Sequence, residues 1–322
     1  MVKLQNSVLP PPSPPKGNNF VYKALKNVRR RLGGPGRKQE RKTSIVVPPA
    51  PSITVNTTSL LGKVAIVTGS SRSTGAAIAK ALGEQGANVV VNYLNSPDAA
   101  DKVVQSIRAQ GRGSVAIRAD VSTIEGAQEL VNETIRAFGK LDILVLNAGV
   151  TASRPLAEVD EDFFDAHFDA NVKAPLFLVK AAASLLPTPG GRIIFFSSSL
   201  TSASTVVPNT LCFVASKAAV EQVSRVLAKD LGTRGVTVNT VSPGPLDTAP
   251  FREGKTQKWI DFYAKQSPSS RLGVPEDVAP LVAFLASPAA QWINGQNIRV
   301  NGVSVTFIVW QMPPHRTNYY RP

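Results

Sequence analysis

The sequence predicts a doubly wound α/β domain, a parallel β-sheet with helices on both faces. Three observations predict it. Short apolar runs rich in Val and Ile recur along the chain from residue 64, several of them bounded by glycine. Continuous runs of this kind suit strands buried on both faces, as in parallel sheets. Helix-length segments alternate with these runs, which implies right-handed strand–helix–strand crossovers. A glycine-containing turn also follows the first run and opens a helix, the context in which phosphates are bound.

Residues 64–67 read as the first strand, between Gly62 and Gly69. Residues 68–75 then read Thr-Gly-Ser-Ser-Arg-Ser-Thr-Gly ahead of an Ala-rich helix over 76–82. Gly69 permits the tight turn. Gly75 lets the helix pack close to the sheet and face its N-terminus toward a pyrophosphate. Two glycines alone also fit an ordinary strand–helix turn, and it is the segments that follow which favour a nucleotide loop. Residues 88–93 read as a second strand, 97–110 as a helix, 114–119 as a strand and 123–138 as a helix. Residues 142–146 form a fourth strand ending in Asn147-Ala148-Gly149. In doubly wound sheets ligands bind at the carboxyl ends of the strands, and Gly69, Asp120 and Asn147 all fall there.

Residues 191–196 read as another strand, running into Ser197-Ser198-Ser199, and 211–231 as a long helix. Phe213 and Lys217 lie four apart and so share one helical face. Residues 245–270 are polar and loop-like, with a short amphipathic stretch around Trp259, Ile260, Phe262 and Tyr263. A last helix is expected over 276–286 and a last strand over 297–300, leading to Asn301-Gly302.

Charge separates this domain from what precedes it. The chain has 322 residues and a net charge of +14. Residues 1–60 carry eleven Lys and Arg against the single acid Glu40, and nine of the 25 prolines. The basicity is therefore that of a Pro-rich extension and not of a folded basic groove, which argues against nucleic acid as a partner. Residues 18–32 suit a short basic amphipathic helix, with Phe20, Ala24 and Val28 on one face. Three readings of the extension stay open: a disordered segment, an organelle presequence, or a weak binder of RNA or anionic membrane. No apolar run is long enough to span a membrane. One cysteine, Cys212, excludes an internal disulfide and fits a reducing, cytoplasmic setting, or a mitochondrial one if the extension is a presequence. With two histidines, His167 and His315, and no Cys/His cluster, no metal site is expected.

Thr-Gly-x-x-x-x-x-Gly, Asp120 after a strand, Asn-Ala-Gly, a helix pentad ending in Lys217 and Ser242-Pro243-Gly244 occur in the order of one family. From about residue 62 to 302 the chain resembles a short-chain dehydrogenase/reductase. The resemblance implies a single Rossmann domain over 61–302 with a seven-stranded sheet, and an atypical tail over 303–322. Residues 91–96, Val-Asn-Tyr-Leu-Asn-Ser, are similar to the fungal NADPH-dependent hydroxynaphthalene-type reductases. By resemblance, Thr68, Gly69, Ser71, Arg72, Gly75, Asn92, Tyr93, Asp120, Val121, Asn147, Ala148 and Gly149 hold the cofactor. Pro243, Gly244, Leu246 and Thr248 hold its nicotinamide end, and Lys217 its ribose. Charge predicts NADP(H) as that cofactor. An acid after the second strand would bond the ribose 2′-hydroxyl of NAD; this chain has Asn92, Tyr93 and Asn95 there, and Arg72 to pair with a 2′-phosphate. The resemblance further implies a homodimer or homotetramer and a lid over 245–270.

The expected catalytic set is Asn171, Ser198 (with Ser199 as the alternative register), Lys217 and the position of Phe213. The family carries tyrosine at that position, and phenylalanine neither gives nor accepts a proton. Two functions follow as expectations. One is an NADP(H)-dependent oxidoreductase interconverting small-molecule carbonyls and alcohols, impaired by Phe213. The other is a cofactor-binding pseudoenzyme with a scaffold or regulatory role. A second departure is Ser73, where the family usually has glycine. Tyr263 would reach the site only if the lid folds over it.

Overall fold

The computed structural model describes residues 59–203 and 206–303. The expectations for 18–32 and for the tail beyond Val303 lie outside these residues. Seven parallel strands form one sheet in the order β3-β2-β1-β4-β5-β6-β7. They are β1 (Val64–Val67), β2 (Asn88–Tyr93), β3 (Ser114–Arg118), β4 (Ile143–Leu146), β5 (Arg192–Phe196), β6 (Thr237–Pro243) and β7 (Asn297–Val300). The helices are α1 (Ser73–Glu84), α2 (Pro97–Arg108), α3 (Ile124–Phe138), α4 (Glu161–Phe168), α5 (Ala174–Ala182), α6 (Leu211–Gly232), α7 (Ala249–Arg252), α8 (Gln257–Lys265) and α9 (Pro275–Ala286).

The period-two alternation of the strands divides the core between two faces. Ala65, Val67, Val89, Val91 and Val145 pack with Ile78 and Leu82 of α1, Val104 of α2 and Val282 of α9. Ile66, Val90, Leu144 and Phe195 face the other way, onto Leu130 of α3, Leu178 of α5 and Val220 of α6. A strand clad on both faces favours apolar residues, and β1, β4 and β5, apolar except for Arg192, are buried throughout.

β6 is the strand that apolar patterning does not disclose. It reads Thr-Val-Asn-Thr-Val-Ser-Pro and is nevertheless buried along almost its whole length. Its polar side chains are bonded inside the protein. Thr240 Oγ1 donates to Ser224 Oγ at 2.7 Å, Asn239 Nδ2 to the Ile293 carbonyl at 2.7 Å and Ser242 Oγ to Asn297 Oδ1 at 2.6 Å. The segment 161–182, for which the sequence suggested no element, forms α4 and α5 joined by the π-turn Asp169–Lys173. Asp160 caps α4 by accepting from the Phe163 N–H at 2.8 Å. The loop-like reading of 245–270 is corrected for 249–252 and 257–265, which are the helices α7 and α8. Among the described residues no helix is long and apolar enough to cross a membrane.

The strand order reverses direction at β1, between β2 and β4. The crevice at the carboxyl ends of β1 and β4 is therefore where a ligand is expected, and the chain places its glycine turn there.

Candidate active site

Thr68 and Asn147 tie the ends of β1 and β4 together. Thr68 Oγ1 accepts from the N–H groups of Asn147 and Ala148, each at 3.0 Å. Asn147 Nδ2 donates back to the carbonyls of Thr68 and Gly69, at 3.0 and 3.2 Å. Gly69 turns the chain at φ +60°. At Gly75 a Cβ would meet Asn147 Nδ2 at 2.7 Å and Ser70 Cα at 2.8 Å, besides the Gly69 carbonyl oxygen, so only glycine lets α1 approach this closely. Ser73 adopts φ +55°. It thus holds, at a steric cost, the left-handed conformation that glycine adopts freely.

The N-terminus of α1 has neither a capping side chain nor an acid in its first turn. Its free N–H groups and helix dipole favour an anion. Arg72 at the N-cap is exposed and makes no ion pair among the described residues. The end of β2 contributes no carboxylate. Tyr93 is half-buried against the core. The Asn92 side chain is buried and bonded within the protein. It is 2% exposed, its Oδ1 accepts from the Gly69 N–H at 3.1 Å and its Nδ2 donates to the Ala119 carbonyl at 3.1 Å. It braces the glycine turn from behind. Asp120 accepts from both the N–H and the hydroxyl of Ser122, at 3.0 and 2.6 Å, on the rim beyond β3. Ser71 and Val121 are half-buried nearby in the chain.

Asn171 and Lys217 meet at Gly149. A Cβ on Gly149 would lie 2.6 Å from Asn171 Oδ1 and 3.2 Å from Lys217 Nζ. Asn171 sits in the π-turn, 1% exposed. It accepts from the Val150 N–H at 2.8 Å and donates to the Val150 carbonyl at 3.0 Å and Ser216 Oγ at 2.9 Å. Ser216 in turn donates to the Phe213 carbonyl at 2.9 Å. Lys217 is 6% exposed, and its Nζ donates to the Phe196 carbonyl at 2.9 Å. Burial pulls its ammonium down to about 8.

The three serines after β5 differ sharply. Ser197 Oγ is spent on the Lys217 carbonyl at 3.1 Å and Glu221 Oε1 at 2.7 Å. Ser199 is 1% exposed and its Oγ has no partner among the described residues. Ser198 is 9% exposed, and its Oγ accepts from the Leu200 N–H at 3.3 Å, which leaves the hydroxyl proton uncommitted. Phe213 lies half-buried on α6, one turn before Lys217. Residues 243–248 are pinned from both sides: the Gly244 N–H donates to the Val300 carbonyl at 2.9 Å and the Asp247 N–H to that of Gly273 at 2.7 Å. Thr248 Oγ1 caps α7, accepting from the Phe251 N–H at 3.3 Å. Leu246 packs against the core. Tyr263 does not join this group. It lines a cavity of about 270 Å³ with Pro245, Leu246, Arg271 and Asn301, which neither Phe213 nor Lys217 borders.

The sequence profile described as enoyl-(acyl carrier protein) reductase matches residues 69–302. This chain belongs to the short-chain dehydrogenase/reductase family. Over 261 residues it is 40% identical to a probable tetrahydroxynaphthalene reductase of Zymoseptoria tritici, covering 78% of this chain and 97% of that protein. Versicolorin reductase 1 of Aspergillus parasiticus is 42% identical over 252 residues, 75% of this chain and 95% of that one. The solved structure of a short chain dehydrogenase from Burkholderia cenocepacia in complex with NADP is similar with a TM-score of 0.72 at 39% identity, spanning 76% of this chain and 98% of that one. The seven-stranded Rossmann fold read from the sequence is the fold of this family.

The residues present fit such a dinucleotide. The glycine cradle that a Cβ would fill, the uncapped start of α1 and Arg72, without an ion pair among the described residues, suit phosphate groups. Sequence reasoning missed Ser197, Ser216 and Glu221. Glu221 had one signal: it extends the stripe of Phe213 and Lys217 by another four residues.

Proposed function

We propose that this protein is an NADP(H)-dependent oxidoreductase that reduces the carbonyl of a small molecule, or runs that reaction in reverse, at a rate limited by proton supply. The observation that carries the proposal is the convergence of Lys217 and Asn171 on Gly149, beside the glycine turn. NADPH, when bound, supplies the hydride that reduces a carbonyl carbon. Arg72 and the free N–H groups of α1 bind phosphate charge. The absence of an acid at the end of β2 favours a 2′-phosphate over a bare ribose hydroxyl. Lys217 holds the ribose, with its ammonium fixed by the Phe196 carbonyl. Ser198, whose proton is uncommitted, donates a hydrogen bond to the substrate oxygen and orients it.

Phe213 preserves the ring that packs at this position and removes the hydroxyl that would carry the proton. Loss of a positioned general acid slows such a reaction by about 10²- to 10⁴-fold. A second reading, a cofactor-binding protein that does not turn over, is favoured by this residue alone. The named activities of the relatives favour flat aromatic ketones as substrates. Trp259 and Phe262 on α8, 54% and 40% exposed, offer apolar surface of the matching kind.

The test is a fluorescence titration of NADPH and NADH into the natural protein and into Arg72→Ala. NADPH should bind more tightly than NADH, and Arg72→Ala should remove most of that preference. Equal affinities in the natural protein would refute the assignment of cofactor.

A further inference from the structure

Glu221 lies one helical turn beyond Lys217 on α6. A single carboxylate oxygen, Oε1, accepts from Ser197 Oγ at 2.7 Å and from Thr201 Oγ1 at 2.5 Å. Ser197 immediately precedes Ser198. Thr201 sits within the 3₁₀ turn Ser199–Ser202 that Ser198 caps. Glu221 thus grips both shoulders of the segment that presents the Ser198 hydroxyl.

The grip governs proton positions as well as atoms. Each hydroxyl has one proton and two acceptors in reach. For Ser197 these are the carboxylate and the Lys217 carbonyl, 3.1 Å away. For Thr201 they are the carboxylate and the Ser198 carbonyl, 2.8 Å away. A carboxylate only accepts and is the stronger partner. It therefore competes for both hydroxyl protons, with the Lys217 carbonyl for that of Ser197 and with the Ser198 carbonyl for that of Thr201. The turn's own backbone bonds are long, Thr201 N–H to the Ser198 carbonyl and Ala203 N–H to that of Leu200, each at 3.2 Å. The turn is a short 3₁₀ segment with poor hydrogen-bond geometry, and its side-chain cap is the long 3.3 Å contact from the Leu200 N–H to Ser198 Oγ. Without the carboxylate each hydroxyl keeps only its second acceptor, the Lys217 carbonyl for Ser197 and the Ser198 carbonyl for Thr201, and the bridge that joins the two shoulders is lost.

We propose that Glu221 is a positioning residue for Ser198, bracing the turn through Ser197 and Thr201 so that the Ser198 hydroxyl stays aimed at the substrate oxygen. The proposal rests on the carbonyl-reducing reading of the site. Where a phenol is lacking, Ser198 is the hydroxyl left to orient the substrate, and its aim matters correspondingly more.

The experiment compares Glu221→Ala, Glu221→Gln and Ser197→Ala/Thr201→Val in the full chain, repeated on Phe213→Tyr to obtain faster turnover. Two quantities are read: steady-state carbonyl reduction, and hydrogen exchange of the amides at 198–202. Glu221→Ala should lower kcat by about 10- to 100-fold, since a misplacement near 1 Å costs about that much. KM for NADPH and the melting temperature should stay close to those of the parent. Exchange at 198–202 should accelerate by about tenfold or more, while other segments hold. Glu221→Gln keeps a carbonyl oxygen for both hydroxyls and should recover most of kcat. Adding Ser197→Ala/Thr201→Val to Glu221→Ala should cost nothing further. Unchanged exchange at 198–202 in Glu221→Ala overturns the proposal, as does exchange that rises uniformly across the domain. If no variant reduces a carbonyl, the functional reading fails, and local exchange still decides whether Glu221 braces the turn.

Discussion

Replacing Lys217 with methionine separates what the site requires from what the fold prefers. The ammonium is 6% exposed, has a backbone carbonyl as its hydrogen-bond partner, and is pulled from 10.5 to about 8 by burial. At 1.36 kcal/mol per tenfold, that displacement corresponds to a charge costing the folded state about 3 kcal/mol. The unfolded chain binds the proton more tightly than the folded one. Stability therefore rises with pH between about 8 and 10.5, and below 8 the full cost is present. Methionine fills a similar volume without charge. Its introduction leaves the Phe196 carbonyl without that donor, a loss of about 1–3 kcal/mol. Lys217→Met should therefore be up to about 2 kcal/mol more stable than the natural chain near neutral pH. That advantage should fade or reverse at about pH 10, where the natural lysine has shed its proton. Urea denaturation at the two pH values measures both differences, and cofactor titration should show weakened binding. A stability difference that stays constant between the two pH values would refute the reasoning, because burial would then not be what the ammonium pays.

Two further substitutions test parts of the framework. Ser73→Gly relieves a left-handed residue at φ +55° and should raise stability by about 1 kcal/mol, seen as a higher urea midpoint with unchanged slope. Asp142 is pushed up by burial, but the Val64 N–H and the Lys140 and Lys63 ammonium groups outweigh this and hold its carboxyl below the ordinary 3.8. Its contribution is present above that value and is lost as pH falls through the lower folded one. Asp142→Asn should destabilise the protein by about 2 kcal/mol near neutrality and flatten the acid limb of its pH–stability curve.

The parts of the fold legible in the sequence are those whose burial demands apolar residues. β1, β4 and β5 are clad on both faces and announce themselves as runs of Val, Ile, Leu, Phe and Ala, with Arg192 at the start of β5 the one exception. β6 is equally central but satisfies Asn239, Thr240 and Ser242 with internal partners, so patterning passes over it. The π-turn at Asn171 has no local signature, because it arises where α4 continues into α5. Within the site, glycines were legible because their requirement is steric: Gly75 leaves no room for a Cβ. Asn92 illustrates the opposite case. The resemblance placed it among the residues that hold the cofactor, yet a short amide there also reaches the Gly69 N–H, and its side chain makes that internal bond. Glu221 was overlooked because a helix is scanned for its apolar stripe, whereas its one signal was polar, the four-residue step beyond Lys217.

The central claim is that this site binds NADP(H) and lacks chiefly one proton donor. The most direct test is turnover of a panel of aromatic ketones by the natural chain and by Phe213→Tyr, with NADPH affinity measured on both. The account predicts equal NADPH affinity and a rate about 10²- to 10⁴-fold higher for Phe213→Tyr. Equal rates in the two proteins would contradict it, because some other group would then already deliver the proton.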